Sequence, residues 1–187
     1  SYIGGILLEV NNMEAGTRYI DNIAEITRKT IGLNGPIQLS LLCNVIEEKL
    51  GGRCIEVDSS ELNVDAEIRT TGDDNVLFII KYRKDMPKTR ILFSIAHELG
   101  HLFLHLLKED GQLRQSAIME RNMQSSESEL AANEFAAAFL MPEADFIIQC
   151  EECKNENDMV NVTKVANYFN VSAQAATVRG SVLGLWN

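Results

Sequence analysis

The sequence predicts an α+β fold: mainly helical, with a small three-stranded antiparallel sheet and a central helix that carries an H-E-x-x-H string. Three observations predict it. Apolar side chains recur at helical spacing over most of the chain. Residues 53–82 break that period and are rich in β-branched and aromatic side chains set between turn residues. Residues 87–107 are apolar around most of a helical surface, which marks a buried element.

The elements follow in order. Tyr19, Ile20, Ile23 and Ile26 set a helix within residues 14–31, and Gly32 to Gly35 ends it. Pro36 restarts a helix as a first-turn residue. Leu39, Leu42, Val45, Ile46 and Leu50 line one side of it before Gly51-Gly52 stops it. Arg53 to Val57 reads as a strand, Val64 to Thr71 alternates weakly, and Val76 to Tyr82 is strongly β-prone. Gly72-Asp73-Asp74-Asn75 supplies the turn of a hairpin. Pro87 opens the next helix, whose stripe is Ile91, Ile95, Leu99, Leu102 and Leu106. Residues 108–126 are polar and irregular and read as a loop, in the position of a lid. A helix over 127–140 ends at Met141-Pro142, and a short one over 143–150 follows. Two short helices, 162–169 and 173–183, close the chain around Asn170-Val171-Ser172. The expected organisation is a core over 1–157 and a C-terminal helical hairpin over 158–187 packed on it, with no separate N-terminal DNA-binding domain.

Composition excludes several classes of function. A chain of 187 residues with a formal net charge of −10 repels phosphate backbones and anionic lipid overall. Direct nucleic-acid binding and membrane association are therefore not expected. No stretch is long and apolar enough to span a bilayer. The apolar start, SYIGGILLEV, lacks the basic flank and cleavage pattern of a signal peptide. Cys43, Cys54, Cys150 and Cys153 include one lone C-x-x-C, which points to reduced thiols and a cytoplasmic protein rather than a metal knuckle.

The chemistry concentrates in one string. His97-Glu98-Leu99-Gly100-His101 places two imidazoles one helical turn apart, able to reach a single Zn²⁺. Glu98 is turned about 100° away around the helix axis, so it serves a water as general base better than it serves the ion. All three histidines of the chain lie between 97 and 105, which chance placement seldom gives. Gly100 lets another element approach this helix closely. The extended metzincin pattern is excluded, because Leu104 and Leu107 stand where it needs glycine and histidine. His105 lies about 12 Å along the axis from His97, too far for all three histidines to share one ion. Its plainer role is a polar side chain near a cleft rim; the functional one is a donor to the developing oxyanion. The third ligand then comes from the following helix, where Glu127, Glu129 and Glu134 compete. Glu129 also fits a capping box with Ser126. In its favour, Asn133 lies one turn further on the same face, able to accept a hydrogen bond from a ligand imidazole. Tyr82 is a second candidate oxyanion donor, and the strand 76–82 a candidate edge for an added substrate strand.

RILFSIAHELGHLFLH followed by ELAANEFAAAFLMP resembles the ImmA/IrrE family of zinc-dependent metallopeptidases. The resemblance extends over residues 14–185. It implies a zincin-like core with His97, His101 and Glu129 as zinc ligands, Glu98 as catalytic base, and Asn133 as the family's polar residue one turn later. It also implies a cytoplasmic bacterial or phage protein that cleaves a helix-turn-helix repressor and so switches on mobile-element or stress genes. The competing reading is a non-proteolytic zinc-binding regulator that acts by binding a transcription factor. An intact Glu98 argues against it, since a structural site needs no base. The tail VTKVANYFNVSAQAATVRGSVLGL mimics a helix-turn-helix. Lys164 and Arg179 are its only basic residues, fewer than a DNA-reading module uses.

Overall fold

The computed structural model describes residues 2–11, 18–108, 110–115 and 125–186. Among them are eight α-helices and a three-stranded sheet: α1 (Tyr2–Asn11), α2 (Tyr19–Thr30), α3 (Leu39–Lys49), β1 (Gly52–Val57), β2 (Ala66–Thr70), β3 (Phe78–Arg83), α4 (Lys88–His101), α5 (Ser126–Leu140), α6 (Glu143–Glu152), α7 (Val162–Tyr168) and α8 (Ala173–Val182). A π-helical turn, Leu102–Leu106, continues α4. The fold is α+β, as its periodicities predict.

The sheet is mixed rather than antiparallel. Its order is β1-β3-β2; β1 runs parallel to β3, and β2 pairs with β3 as an antiparallel hairpin. The reason lies in the side chains. Phe78 and Ile80 of β3 are fully buried, which suits a central strand. The flanking strands carry Arg53 and Glu56, or Glu67 and Arg69, which suit edges. The strand that ends at Tyr82 is therefore paired on both sides and offers no edge to a substrate; β2 does.

Helix ends differ from expectation for local reasons. The apolar start forms a helix, α1, to which the sequence assigns no element; Gly4-Gly5 lowers helix propensity there. Pro36 lies outside α3, whose N-cap is Gln38 in extended backbone. The C-cap of α2 is followed by Gly32 at φ +71°, a left-handed conformation that favours glycine. Of the expected loop, residues 108, 110–115 and 125–126 are described; Leu113 forms an antiparallel bridge with Leu107, and Ser125 caps and Ser126 begins the next helix. The expected lid otherwise lies outside the described residues, as does the expected start of the helix now given by α2.

The core is centred on α4. Ile95, Ala96 and Leu99 are fully buried, and α4 packs along α5 and against β2 and β3. A Cβ at Gly100 would sit 3.0 Å from both Cα and O of Ala132, so glycine is what allows α4 and α5 their close approach. Phe135 stacks between Phe103 and Phe139, with centroids 5.9 and 5.6 Å away. Two buried arginines bind the helices together. Arg28 donates to the carbonyls of Phe139 and Gly35, each at 2.7 Å. Arg179 of α8 forms a fork with Asp21 of α2 at 2.9 and 3.2 Å and donates to the carbonyl of Met141.

Candidate metal centre

The ends of α4 and the start of α5 meet at one point. Within α4, His97 and His101 are one turn apart, and their Nε2 atoms lie 2.9 Å from each other. Glu129, in the first turn of α5, brings one carboxylate oxygen to 3.3 Å from His97 Nε2 and the other to 3.3 Å from His101 Nε2. A tetrahedral ion with bonds of ~2.0–2.1 Å holds its ligand atoms about 3.3 Å apart. The separations here, 2.9 Å between the imidazoles and 3.3 Å from each imidazole to a different carboxylate oxygen, are near that. Of Glu127, Glu129 and Glu134, Glu129 is the one whose carboxylate joins the two imidazoles.

Local sequence explains the placement. The N-cap of α5 is Ser125, whose hydroxyl accepts from the Ser128 N–H; the expected cap, Ser126, is instead the first helical residue. Glu129 is thus free of capping and turns its side chain to the histidines. Asn133, one turn later, stands 2.9 Å from His97 Nδ1. An amide oxygen there accepts from Nδ1–H and leaves the Nε2 lone pair directed at the shared point. Burial of His101, with His97 and His105 close by, lowers its pKa to about 3 and keeps it neutral, as a metal ligand must be. The donor set of two neutral imidazole nitrogens and one carboxylate fits Zn²⁺ with a position left open.

Glu98 is 7% exposed and points toward the sheet. Burial raises its pKa to about 8; the backbone N–H of Ile68 in β2 opposes that rise, and the nearby charges of Glu129 and Glu67 add to it. A carboxyl so placed exchanges a proton near neutral pH, which suits a general base. The Ile68 contact was not legible in the sequence, since it depends on which strand takes the sheet edge.

The two candidate oxyanion donors separate. His105 lies in the π turn with its ring 5.6 Å from that of His101, centroid to centroid, and its Nε2 is buried without a partner among the described residues. Tyr82 is not brought to the metal group. It borders a different cavity of about 520 Å³, with Cys43, Lys88 and Leu92, at the far end of α4. Burial raises its pKa to about 12. A groove of about 1010 Å³ opens beside Asn133, between α4, α5 and α8, bordered by Phe93, Leu130, Val178 and Val182.

Residues 69–181 match the family model of the IrrE N-terminal-like domain, Peptidase_M78. The chain belongs to this family. The IrrE-like match takes in β3, α4 and α5, hence all the residues of the metal group, and runs on through α7 and most of α8. A peptidase family and a His/His/Glu group together point to a metal-dependent peptidase. No curated protein matches the chain. Among solved structures, a Mycobacterium tuberculosis transcriptional regulator is similar in fold, with a TM-score of 0.62 and 19% identity over 96% of this chain. The IrrE-like chain spans about half, 51%, of that regulator's length. No helix among the described residues is long and apolar enough to cross a membrane.

Proposed function

We propose that this protein is a zinc-dependent metalloprotease that cleaves a helix-turn-helix transcriptional repressor at a specific site and thereby regulates mobile-element or stress genes in the cytoplasm. The observation that carries the peptidase reading is the convergence of His97, His101 and Glu129 beside a buried Glu98. Zinc would supply Lewis acidity to the water and to the scissile carbonyl. The chain's own residues supply the rest. His97, held by Asn133, and His101 and Glu129 hold the ion. Glu98 takes the proton of the attacking water and returns it to the leaving amine. Substrate backbone pairs with the outer edge of β2, whose Ile68 reaches Glu98. Substrate side chains lie in the apolar groove along Leu130, Val178 and Val182.

The repressor target rests on the family resemblance and on charge. A chain of net charge −10 attracts a basic DNA-binding protein. It also disfavours DNA itself, and of the two basic residues in the C-terminal hairpin Arg179 is buried on Asp21. We therefore read the hairpin over 158–187 as a wall of the peptidase core rather than a DNA reader.

The test is Glu98→Gln. The variant is expected to retain zinc and to lose about 10²–10⁴-fold in cleavage rate. Expressed in the native host, it should retain a repressor that wild type shortens. A partner held equally by both forms and never shortened would instead establish the non-proteolytic regulator.

A further inference from the structure

We propose that His105 is a positioning residue for the metal centre: its Nε2 accepts a hydrogen bond from His101 Nδ1–H and holds His101 in the tautomer that presents Nε2 to the ion. The inference rests on the reading of His97, His101 and Glu129 as metal ligands.

Two buried nitrogens of the histidine cluster lack partners among the described residues. One is His101 Nδ1 and the other His105 Nε2. The two rings are neighbours, 5.6 Å apart between centroids and inclined at 43°. The pairing joins the two nitrogens that these neighbouring rings leave unmatched. A π-helical turn begins between the two positions. It starts just after His101, and Leu107 closes it by donating to the Leu102 carbonyl five residues back. Wider winding changes the angular offset between positions 101 and 105, and such turns recur at functional sites.

The tautomer argument gives the pairing its purpose. A neutral imidazole has one N–H and one lone pair. Without metal, the 2.9 Å contact between the two Nε2 atoms requires a proton on one of them. Asn133 holds the proton of His97 on Nδ1, so the shared proton sits on His101 Nε2. Holding a metal would use both Nε2 lone pairs, so the His101 proton would have to sit on Nδ1, with no net gain or loss of protons. His101 is only 2% exposed, so that N–H has no water to turn to. An unpaired buried donor opposes binding. His105 Nε2 is the acceptor beside it, in the role that Asn133 plays for His97.

The test compares zinc dissociation constants of wild type, His105→Leu and His105→Gln by competition with a chromophoric chelator. Leucine keeps the volume and removes the acceptor; glutamine restores an acceptor oxygen. His105→Leu is expected to bind zinc about 10–100-fold more weakly, and His105→Gln close to wild type. Thermal melts of the three metal-free proteins should coincide, which separates positioning from a packing role. Nitrogen-15 spectra of zinc-loaded wild type should place the His101 proton on Nδ1, hydrogen-bonded. Equal zinc affinity in wild type and His105→Leu, or a free Nδ1–H signal, overturns the pairing and leaves the metal centre standing. Absence of zinc binding by wild type removes the metal centre and the pairing with it.

Discussion

Each residue of the centre has a separate physical duty, so substitutions there should part metal binding from chemistry. Removing Glu129 deletes one of three donors, whereas Glu127 and Glu134 contribute none. Glu129→Ala is expected to lose zinc to a weak chelator on dialysis, and Glu127→Ala and Glu134→Ala to retain it. Glu98 gives a pH signature in the metal-free protein. Its folded pKa, about 8, exceeds that of an unfolded carboxyl, so the folded state keeps a proton that the unfolded state releases. Stability on this account is fully present below the unfolded value and falls as pH rises toward 8, by at most about 1.4 kcal/mol per pH unit. Glu98→Gln removes the loss. Urea melts of metal-free protein should show the variant gaining on wild type between pH 5 and 8; parallel curves would mean that Glu98 is solvated. The ligand types and spacing were legible because a helical turn fixes them. The Ser125 cap and the Ile68 contact were not, since one depends on where a helix starts by a single residue and the other on strand order.

Among the elements, the pairing of α4 with α5 decides whether the centre exists, because each contributes ligands. Gly100 sets their separation. A larger side chain there meets Ala132 backbone, which cannot rotate out of the way. Gly100→Val is expected to cost about 1–3 kcal/mol and to weaken zinc binding with it, since spreading the helices carries Glu129 away from His97 and His101. Denaturant midpoints and zinc titration of the same preparation check this; a stable variant with wild-type affinity would show that the helices tolerate a shift. The sequence made α4 and α5 plain through their periodicity and the glycine. It misled on the sheet. Three strands in sequence order suggest an antiparallel meander, yet β3 lies between β1 and β2, and its Phe78 and Ile80, on one face of the sheet, are fully buried. That pairing is long-range, and its sequence signal was the apolar run itself. The expectation sets Tyr82 near the cleft with its strand, whereas it borders the cavity at Cys43, Lys88 and Leu92.

At the scale of the whole molecule, the chain's ends are tied to its middle by buried charge. Arg179, 2% exposed, spans from the last helix to Asp21 of α2 and to the Met141 carbonyl that closes α5. The hairpin's resemblance to a DNA-binding motif therefore conceals a different use of its arginine. A buried pair is weak evidence of net stabilisation, but removing one partner strands the other. Arg179→Leu should destabilise by about 3–5 kcal/mol, because Asp21 is left charged and mostly enclosed. Adding Asp21→Asn to that background should restore part of the loss, since the stranded charge is gone; the two single changes and the double change form a cycle whose interaction is large and favourable to the pair. Chemical denaturation measures all four proteins. If the hairpin is a wall of the peptidase unit, unfolding stays a single transition in each, with α8 melting alongside α5. If Arg179→Leu instead melts the hairpin in a separate step while zinc remains bound, residues 158–187 are an appendage, and the groove beside Asn133 loses Val178 and Val182 without loss of the metal centre.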